Sequence, residues 1–274
     1  MGIQIKSRQN EEHYLDISDT DYKKRVARNF GKAARTYDSA ARLQKRVAAR
    51  ARMLLPAGIM PDYVLDLGCG TGYETAFLNA RYPDASIIGL DLSMGMIDFA
   101  NSCHSQGHQW CAGDMENLPF ASDSFDLIYS SLAIQWCDSE RVFDEIHRVL
   151  KPGGSFVFSS LGAGTMEELH SAWQQVDRGE HTNRFSSYSE QKRVVEQSAL
   201  QVNSFCRQAE TLHYPSLKTL FRELKALGVN TVNSASKGLM TPGKLKTLET
   251  AYEHFRETLG LPLTYQVIYG QMQK

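Results

Sequence analysis

Apolar positions along the chain change their spacing in an order that predicts its elements. Val26, Phe30, Ala33, Leu43, Val47, Ala51 and Leu54 recur at helical spacing among Lys and Arg over residues 21–55, until Pro56 and Gly58 end the pattern. The run YVLDL at 63–67 is too short for a helix and leads into GCGTG, after which 73–81 regains a helical texture as far as Pro83. The same alternation predicts strands at 86–91 (SIIGLD), 109–112 and 125–131 (FDLIYSS), with helices at 94–103 and 139–150. Val142, Phe143, Ile146, Val149 and Leu150 mark the buried face of the last helix, and KPGG stops it before a strand at 155–160. Strands separated by helices imply parallel βαβ units.

Beyond Gly164 the rhythm changes. Residues 165–200 are polar and mostly helical, 202–214 alternate like a strand, 216–227 form an amphipathic helix, and 263–273 supply a last strand. The chain thus divides into a helical preface at 1–58 and a main α/β domain at 59–274, with a helical cap inserted at about 164–200. A length of 274 residues suits one such domain.

Composition adds exclusions. The first twenty residues lack the apolar core of a signal peptide, and no later stretch reaches the roughly 18 apolar residues of a spanning helix. Five scattered cysteines do not suggest a disulfide framework, so a cytoplasmic location is expected. The net charge is −1, yet residues 21–52 hold eleven Lys or Arg against Asp21 and Asp38, a local +9. Such a segment is either a solvated helix face or a surface for an acidic partner. Its interleaved alanines and lack of stacking aromatics disfavour nucleic acid.

Glycines at 68, 70 and 72 directly after a strand allow a tight turn and bring backbone N–H groups and a helix N-terminus to a ligand. Asp91, ending the next strand, places a carboxylate where it can accept both hydroxyls of a ribose. Together they suit an adenosine ligand. A dinucleotide would require glycine at the sixth position of G-x-G-x-x-G, where this chain has Tyr73. The loop instead favours a ligand ending in an amino acid, with Asp66 near its ammonium group.

Five ordered segments, VLDLGCGTG (64–72), GLDLS (89–93), GDMENLPF (113–120), FDLIYSSLAIQW (125–136) and RVLKPGG (148–154), resemble the signatures of class I S-adenosylmethionine methyltransferases. The resemblance implies a Rossmann-like seven-stranded sheet with a reversed final hairpin, an N-terminal helical lid and a helical insertion after strand 5. It also implies a cofactor site made by Asp66, Gly68, Cys69, Gly70, Asp91, Leu92, Met96, Asp114, Met115 and Ser130. Asp114 would bind the adenine amino group, and Met96 and Met115 would pack on the ring.

Two stretches outside that core, RNFGKAARTYDSAARLQ (28–44) and GTMEELHSAWQQVDRGEHTNRF (164–185), are similar to the malonyl-[acyl-carrier-protein] O-methyltransferases of biotin synthesis. That family implies methylation of the free carboxylate of a malonyl thioester on acyl carrier protein, giving a methyl ester and S-adenosylhomocysteine. A carboxylate is already ionised at neutral pH, so alignment and water exclusion matter more than a base. The candidates for that task are Tyr37 on the lid, Gln135 and Trp136 after the fourth strand, and His181, Asn183 and Arg184 in the insertion. For an acidic carrier, Lys218, Arg222 and Lys225 lie on one helix face and join the basic 21–52 segment as a docking candidate.

Cys103, His104, His108 and Cys111 are close in sequence but lie in a connection remote from the expected site, so no metal is expected. Neither a membrane nor a nucleic-acid partner is expected. A methyltransferase for another small acceptor, such as a quinone precursor, and a non-catalytic S-adenosylmethionine-binding module remain as alternatives.

Overall fold

The computed structural model describes residues 17–104, 108–177, 179, 181–229 and 241–274. Helices α1 (Ile17–Ala40) and α2 (Arg42–Ala51) form the preface. The core then runs β1 (Tyr63–Leu67), α3 (Tyr73–Arg81), β2 (Ser86–Asp91), α4 (Met94–Cys103), β3 (His108–Ala112), β4 (Phe125–Ser131), α5 (Ser139–Val149) and β5 (Leu150–Gly162). Helices α6 (Glu167–Gln174) and α7 (Tyr188–Gln197) make the insertion, and β6 (Gln201–Tyr214), α8 (Leu217–Ala226), α9 (Pro242–Glu253) and β7 (Leu261–Gln273) complete the chain.

The seven strands are ordered β3-β2-β1-β4-β5-β7-β6, with β7 antiparallel to both β5 and β6. Strand order reverses direction between β1 and β4, and this switch point is where open parallel sheets bind ligands. Successive residues of β1 feed opposite faces, Val64 joining Leu43, Val47 and Leu78 of α2 and α3 while Leu65 joins Val142, Phe143 and Ile146 of α5. Burial on both faces accounts for the nearly continuous apolar runs of β1 and β4.

The expected fold is thus the observed one, with two local differences. Strand β5 begins at Leu150 rather than Ser155, because Leu150 already pairs with Phe125 before KPGG bulges out and Ser155 pairs with Leu127. Gly153, in the left-handed region, donates its N–H to Lys274 O at 2.7 Å, so the bulge is tied to the chain's last residue. Helix α9 had not been foreseen, although its capping Thr241, Pro242 at the first turn and buried Leu248, Ala251 and Tyr252 are legible signs. Among the described residues no helix is long and apolar enough to cross a membrane, and all five cysteines are free thiols.

The preface lies across the switch point because α1 crosses α4 at unusually close range. A Cβ built on Gly95 would stand 2.9 Å from Gly31 Cα, so the two backbones touch where both residues lack side chains. Gly95→Val is expected to force α1 away and to cost about 2 kcal/mol by overpacking. Urea unfolding would register this as a lower midpoint, whereas an unchanged midpoint would contradict the close crossing.

Candidate active site

Strand β1 ends at the buried Leu67, and the chain turns through Gly68, Gly70 and Gly72, all at positive φ, into α3. At Gly68 an added Cβ would collide with Ala133, so the residue type is dictated by space as well as by conformation. Asp91 braces the loop: one carboxylate oxygen accepts the Gly70 N–H at 3.0 Å and the other the Ser93 N–H at 2.7 Å. Burial pushes its pKa up, and these two N–H groups act against that shift. Asp66, the penultimate residue of β1, is 2% exposed and accepts the Thr75 hydroxyl at 2.5 Å. Burial, with the charges of Glu74 and Asp91, raises its pKa from 3.8 to about 7, opposed by the Thr75 hydrogen bond.

Two cavities open against this loop and share Tyr37, Gly68, Gly70 and Ser131. The first, of about 640 Å³, is floored by Asp91, Leu92, Met96 and Met115 and roofed by Lys23, Val26 and Phe30 of α1. The second, of about 510 Å³, holds Asp66, Cys69, Thr71 and Glu74 beneath Asp38, Gln44 and Lys45 of the preface. An adenosine suits the first by its ribose acceptor and thioether-lined floor, and an amino-acid group suits the second by its carboxylates and cation. One extended ligand could occupy both beneath Tyr37.

Contacts at both ends hold the roof down. Lys23 Nζ is 2.9 Å from Asp114 Oδ2 and 2.6 Å from Glu116 Oε2, Phe30 meets Trp136 edge-on with centroids 5.5 Å apart, and Thr71 donates to Asp38 Oδ1 at 2.7 Å. Tyr37 is half-buried between the cavities, and burial together with the charges of Asp91 and Asp38 raises its pKa, so its phenol stays protonated and can donate.

Nine of the ten expected cofactor residues surround this space. Asp66, Gly68, Cys69, Gly70, Asp91, Leu92, Met96 and Met115 line it directly, and Asp114 stands at its edge, bonded to Lys23 and to the Glu116 N–H at 3.0 Å. Ser130 is the exception, because its hydroxyl donates to Leu67 O at 2.7 Å within the sheet and Ser131 faces the cavities instead. Leu132, at φ 51° and held by Ser159 O at 3.0 Å, turns the chain so that Ser131, Leu132 and Ala133 all line the first cavity.

The acceptor candidates divide. Tyr37 lies in both cavities and Trp136 in the first. Gln135 instead donates to Leu132 O at 2.6 Å. His181 stacks on Trp173 at 3.7 Å and bonds Asp177 at 2.6 Å, which in turn holds Lys244 at 2.6 Å, so it links the insertion to α9. Neither it nor Asn183 nor Arg184 is among the residues lining the two cavities. The sequence reading did not place Lys23, Phe30, Gln44, Lys45 or Ser131 at the site. For the first four the only signal was the helical period of the preface, which names a buried face but not what that face covers, and Ser131 is the last residue of β4.

A family profile described as a methyltransferase domain matches residues 65–158. The chain is 43% identical over 254 residues to the malonyl-[acyl-carrier protein] O-methyltransferase of Dechloromonas aromatica (strain RCB), covering 92% of this chain and 95% of that protein. It is 44% identical over 261 residues to the biotin biosynthesis bifunctional protein BioHC of Cellvibrio japonicus (strain Ueda107), 94% of this chain but 52% of the relative, so it spans about half of that longer protein. Among solved structures, YcgJ of Bacillus subtilis superimposes with a TM-score of 0.58 at 21% identity over 83% of this chain and 97% of that one. Geranyl diphosphate C-methyltransferase of Streptomyces coelicolor A3(2), solved with Mg2+, geranyl diphosphate and S-adenosyl-L-homocysteine, gives 0.51 at 18% over 82% and 78%. These two likenesses concern the fold.

The Asp66 environment carries a pH signature. Its proton is held more tightly in the folded protein, so the stability it contributes is full below about pH 4 and is lost as pH rises through about 7. Between about pH 5 and about pH 8, the Tm of the ligand-free protein is therefore expected to fall by several degrees relative to Asp66→Asn. Parallel melting curves for the two proteins would refute the raised pKa.

Proposed function

The chain belongs to the malonyl-[acyl-carrier protein] O-methyltransferase family, and on that footing we propose that it methylates the free carboxylate of malonyl-acyl carrier protein in the cytosol, using S-adenosylmethionine. The observation that carries the cofactor part is the pair of cavities joined under Tyr37, one with a ribose acceptor at Asp91 and the other with an ammonium acceptor at Asp66. The glycine loop supplies a cradle in which a Cβ at Gly70 would meet open space, so backbone can approach a ligand there. The residues present therefore fit this group.

In this reading Asp91 takes the ribose hydroxyls, Asp66 the ammonium group, Asp114 the adenine amino group, and Met96 and Met115 the ring faces. Lys23 bonds Asp114 Oδ2, so the adenine and the lid meet at one carboxylate. When bound, S-adenosylmethionine supplies an electrophilic methyl group on a sulfonium. What the protein adds is placement. Tyr37, protonated and aimed at the space common to both cavities, can donate to the acceptor carboxylate, and Ser131 offers a second hydroxyl on the strand side. The acceptor needs no base, since its pKa of about 4 leaves it ionised. The helices α1 and α2 exclude water that would otherwise compete for the carboxylate. The proposed transfer asks for no metal.

The carrier is assigned to the outer face of α8. Lys218, Arg222 and Lys225 are exposed on it, while Leu217, Leu220 and Leu224 are buried beneath. The basic preface divides in two. Arg42 pairs with Glu223, Arg46 and Arg50 with Glu210, and Arg52 with Glu74, so these cations hold the fold together. Arg28, Lys32 and Arg35 of α1 are exposed without an ion pair among the described residues and can extend the docking face. Helix α8 abuts the lid, with Thr36 donating to Ala226 O at 2.9 Å, so a carrier there would deliver its prosthetic arm beside α1.

Mass spectrometry of malonyl-loaded carrier protein incubated with the enzyme and S-adenosylmethionine tests the reaction. A gain of one CH2 on the malonyl group is expected, with Tyr37→Phe lowering kcat by about 10- to 100-fold at unchanged cofactor affinity. No gain, despite cofactor binding, would redirect the search to hydroxyl or carbon acceptors. Lys218→Glu, Arg222→Glu and Lys225→Glu combined should raise KM for the carrier by about 10-fold or more while sparing malonyl-coenzyme A. Equal carrier kinetics would remove α8 as the docking face.

A further inference from the structure

The second cavity contains a buried acceptor that the fold leaves without a donor. Gln44 Oε1, on α2, has no hydrogen-bond partner, and a buried polar atom in that condition destabilises the fold unless something else satisfies it. Ala41, which caps α2, and Ala48, one turn beyond Gln44 along it, also line the cavity, and their small side chains give the amide room to reach inward.

The other polar groups of this cavity are largely engaged. Glu74 is held by Arg52 through two bonds of 2.9 and 2.6 Å, Asp38 Oδ1 accepts from Thr71, and Lys45 Nζ donates to Asp38 O at 2.9 Å. Asp66 has spent one oxygen on Thr75. The Gln44 carbonyl oxygen has no donor at all, and Asp66 and Asp38 each keep a carboxylate oxygen that Thr75 and Thr71 do not use. Gln44 and Asp66 are both acceptors, and they line one space. A group with several N–H donors and a positive charge satisfies both, whereas a hydroxyl or a carboxylate does not.

We infer that Gln44 is a cofactor-positioning residue whose side-chain carbonyl accepts from the ammonium of the methionine moiety, clamping it against Asp66. This deepens the cofactor assignment above and rests on it. Because Gln44 belongs to the preface rather than to the sheet, the clamp adds a contact from α2 to the amino-acid end of the ligand. Of the two preface helices, only α1 lines the cavity given to the adenosine end.

Calorimetric titration of the full chain with three probes separates this role from a structural one. S-adenosylhomocysteine carries both ammonium and carboxylate, its decarboxylated counterpart keeps the amine alone, and 5′-methylthioadenosine has neither. Gln44→Leu is expected to weaken the first two by about 10-fold and to leave methylthioadenosine within about twofold. Gln44→Glu, which keeps an acceptor, should retain the affinity of S-adenosylhomocysteine within a few-fold of wild type. Uniform weakening of all three probes, or no weakening of any, would overturn the assignment. So would loss confined to S-adenosylhomocysteine with the decarboxylated probe unaffected, since Gln44 would then serve the carboxylate. Wild-type protein that binds none of the three overturns the cofactor reading itself.

Discussion

The site depends on the bracing of a glycine loop by one buried carboxylate. The loop between β1 and α3 adopts three left-handed glycines in five residues, a path with little intrinsic preference for one conformation. Asp91 removes that freedom by holding Gly70 and Ser93 through their N–H groups, each such charge-assisted bond contributing about 1.5–3 kcal/mol. Trp110 of β3 closes the other side, since a Cβ at either Gly72 or Gly89 would run into its ring. Three strands therefore converge on the loop, and the carboxylate that braces it is the one proposed above to meet a ribose. A site whose binding group is also its structural brace is preorganised, and the reorganisation is completed at folding.

Covering the loop is a separate problem with a separate solution. Helix α1 cannot reach the cavities unless it approaches α4 closely, and the Gly31–Gly95 crossing makes the approach possible. Its far end is then fixed by Lys23 on Asp114 and Glu116, its near end by Asp38 on Thr71, and its flank by the turn just past α8, where Gly228 packs against Asn29 O. Between these anchors the helix presents Val26, Phe30 and Tyr37 downward, at the spacings of four and seven that one helix face allows.

How much of this was legible in the sequence follows from the range of the interactions concerned. Strands β1, β2 and β4 and helices α3 and α4 were delimited to the residue, because each is set by local periodicity and bounded by glycine, proline or a capping serine. The loop and Asp91 were legible for the same reason: their geometry is a property of the strand ends. That Ser131 rather than Ser130 lines the cavities was not legible, because it depends on which of two adjacent residues faces outward before the left-handed turn at Leu132. His181 was placed near the site by its segment, yet its stacking on Trp173 and pairing with Asp177 are tertiary contacts that no spacing announces. Gln44 was part of a stretch read for its resemblance, but an unpaired buried atom exists only once the partners around it are known.

The same distinction applies to charge. A net charge of −1 and a +9 preface suggest one basic surface on an otherwise acidic protein, but folding sorts those cations by function. Arg42, Arg46, Arg50 and Arg52 turn toward Glu223, Glu210 and Glu74, while Asp38, Asp66, Asp91 and Asp114 gather round the cavities. The interior of the site is therefore rich in carboxylates, which favours a ligand bearing both a sulfonium and an ammonium. The exposed remainder on α1 and α8 is basic, which favours an acidic macromolecule. Screening confines such surface effects to roughly 8–10 Å at ordinary ionic strength, so the inner acids do not cancel the outer bases. One chain with almost no net charge thus presents opposite potentials on its two sides, acidic round the cavities beneath α1 and α2 and basic on the outer faces of α1 and α8.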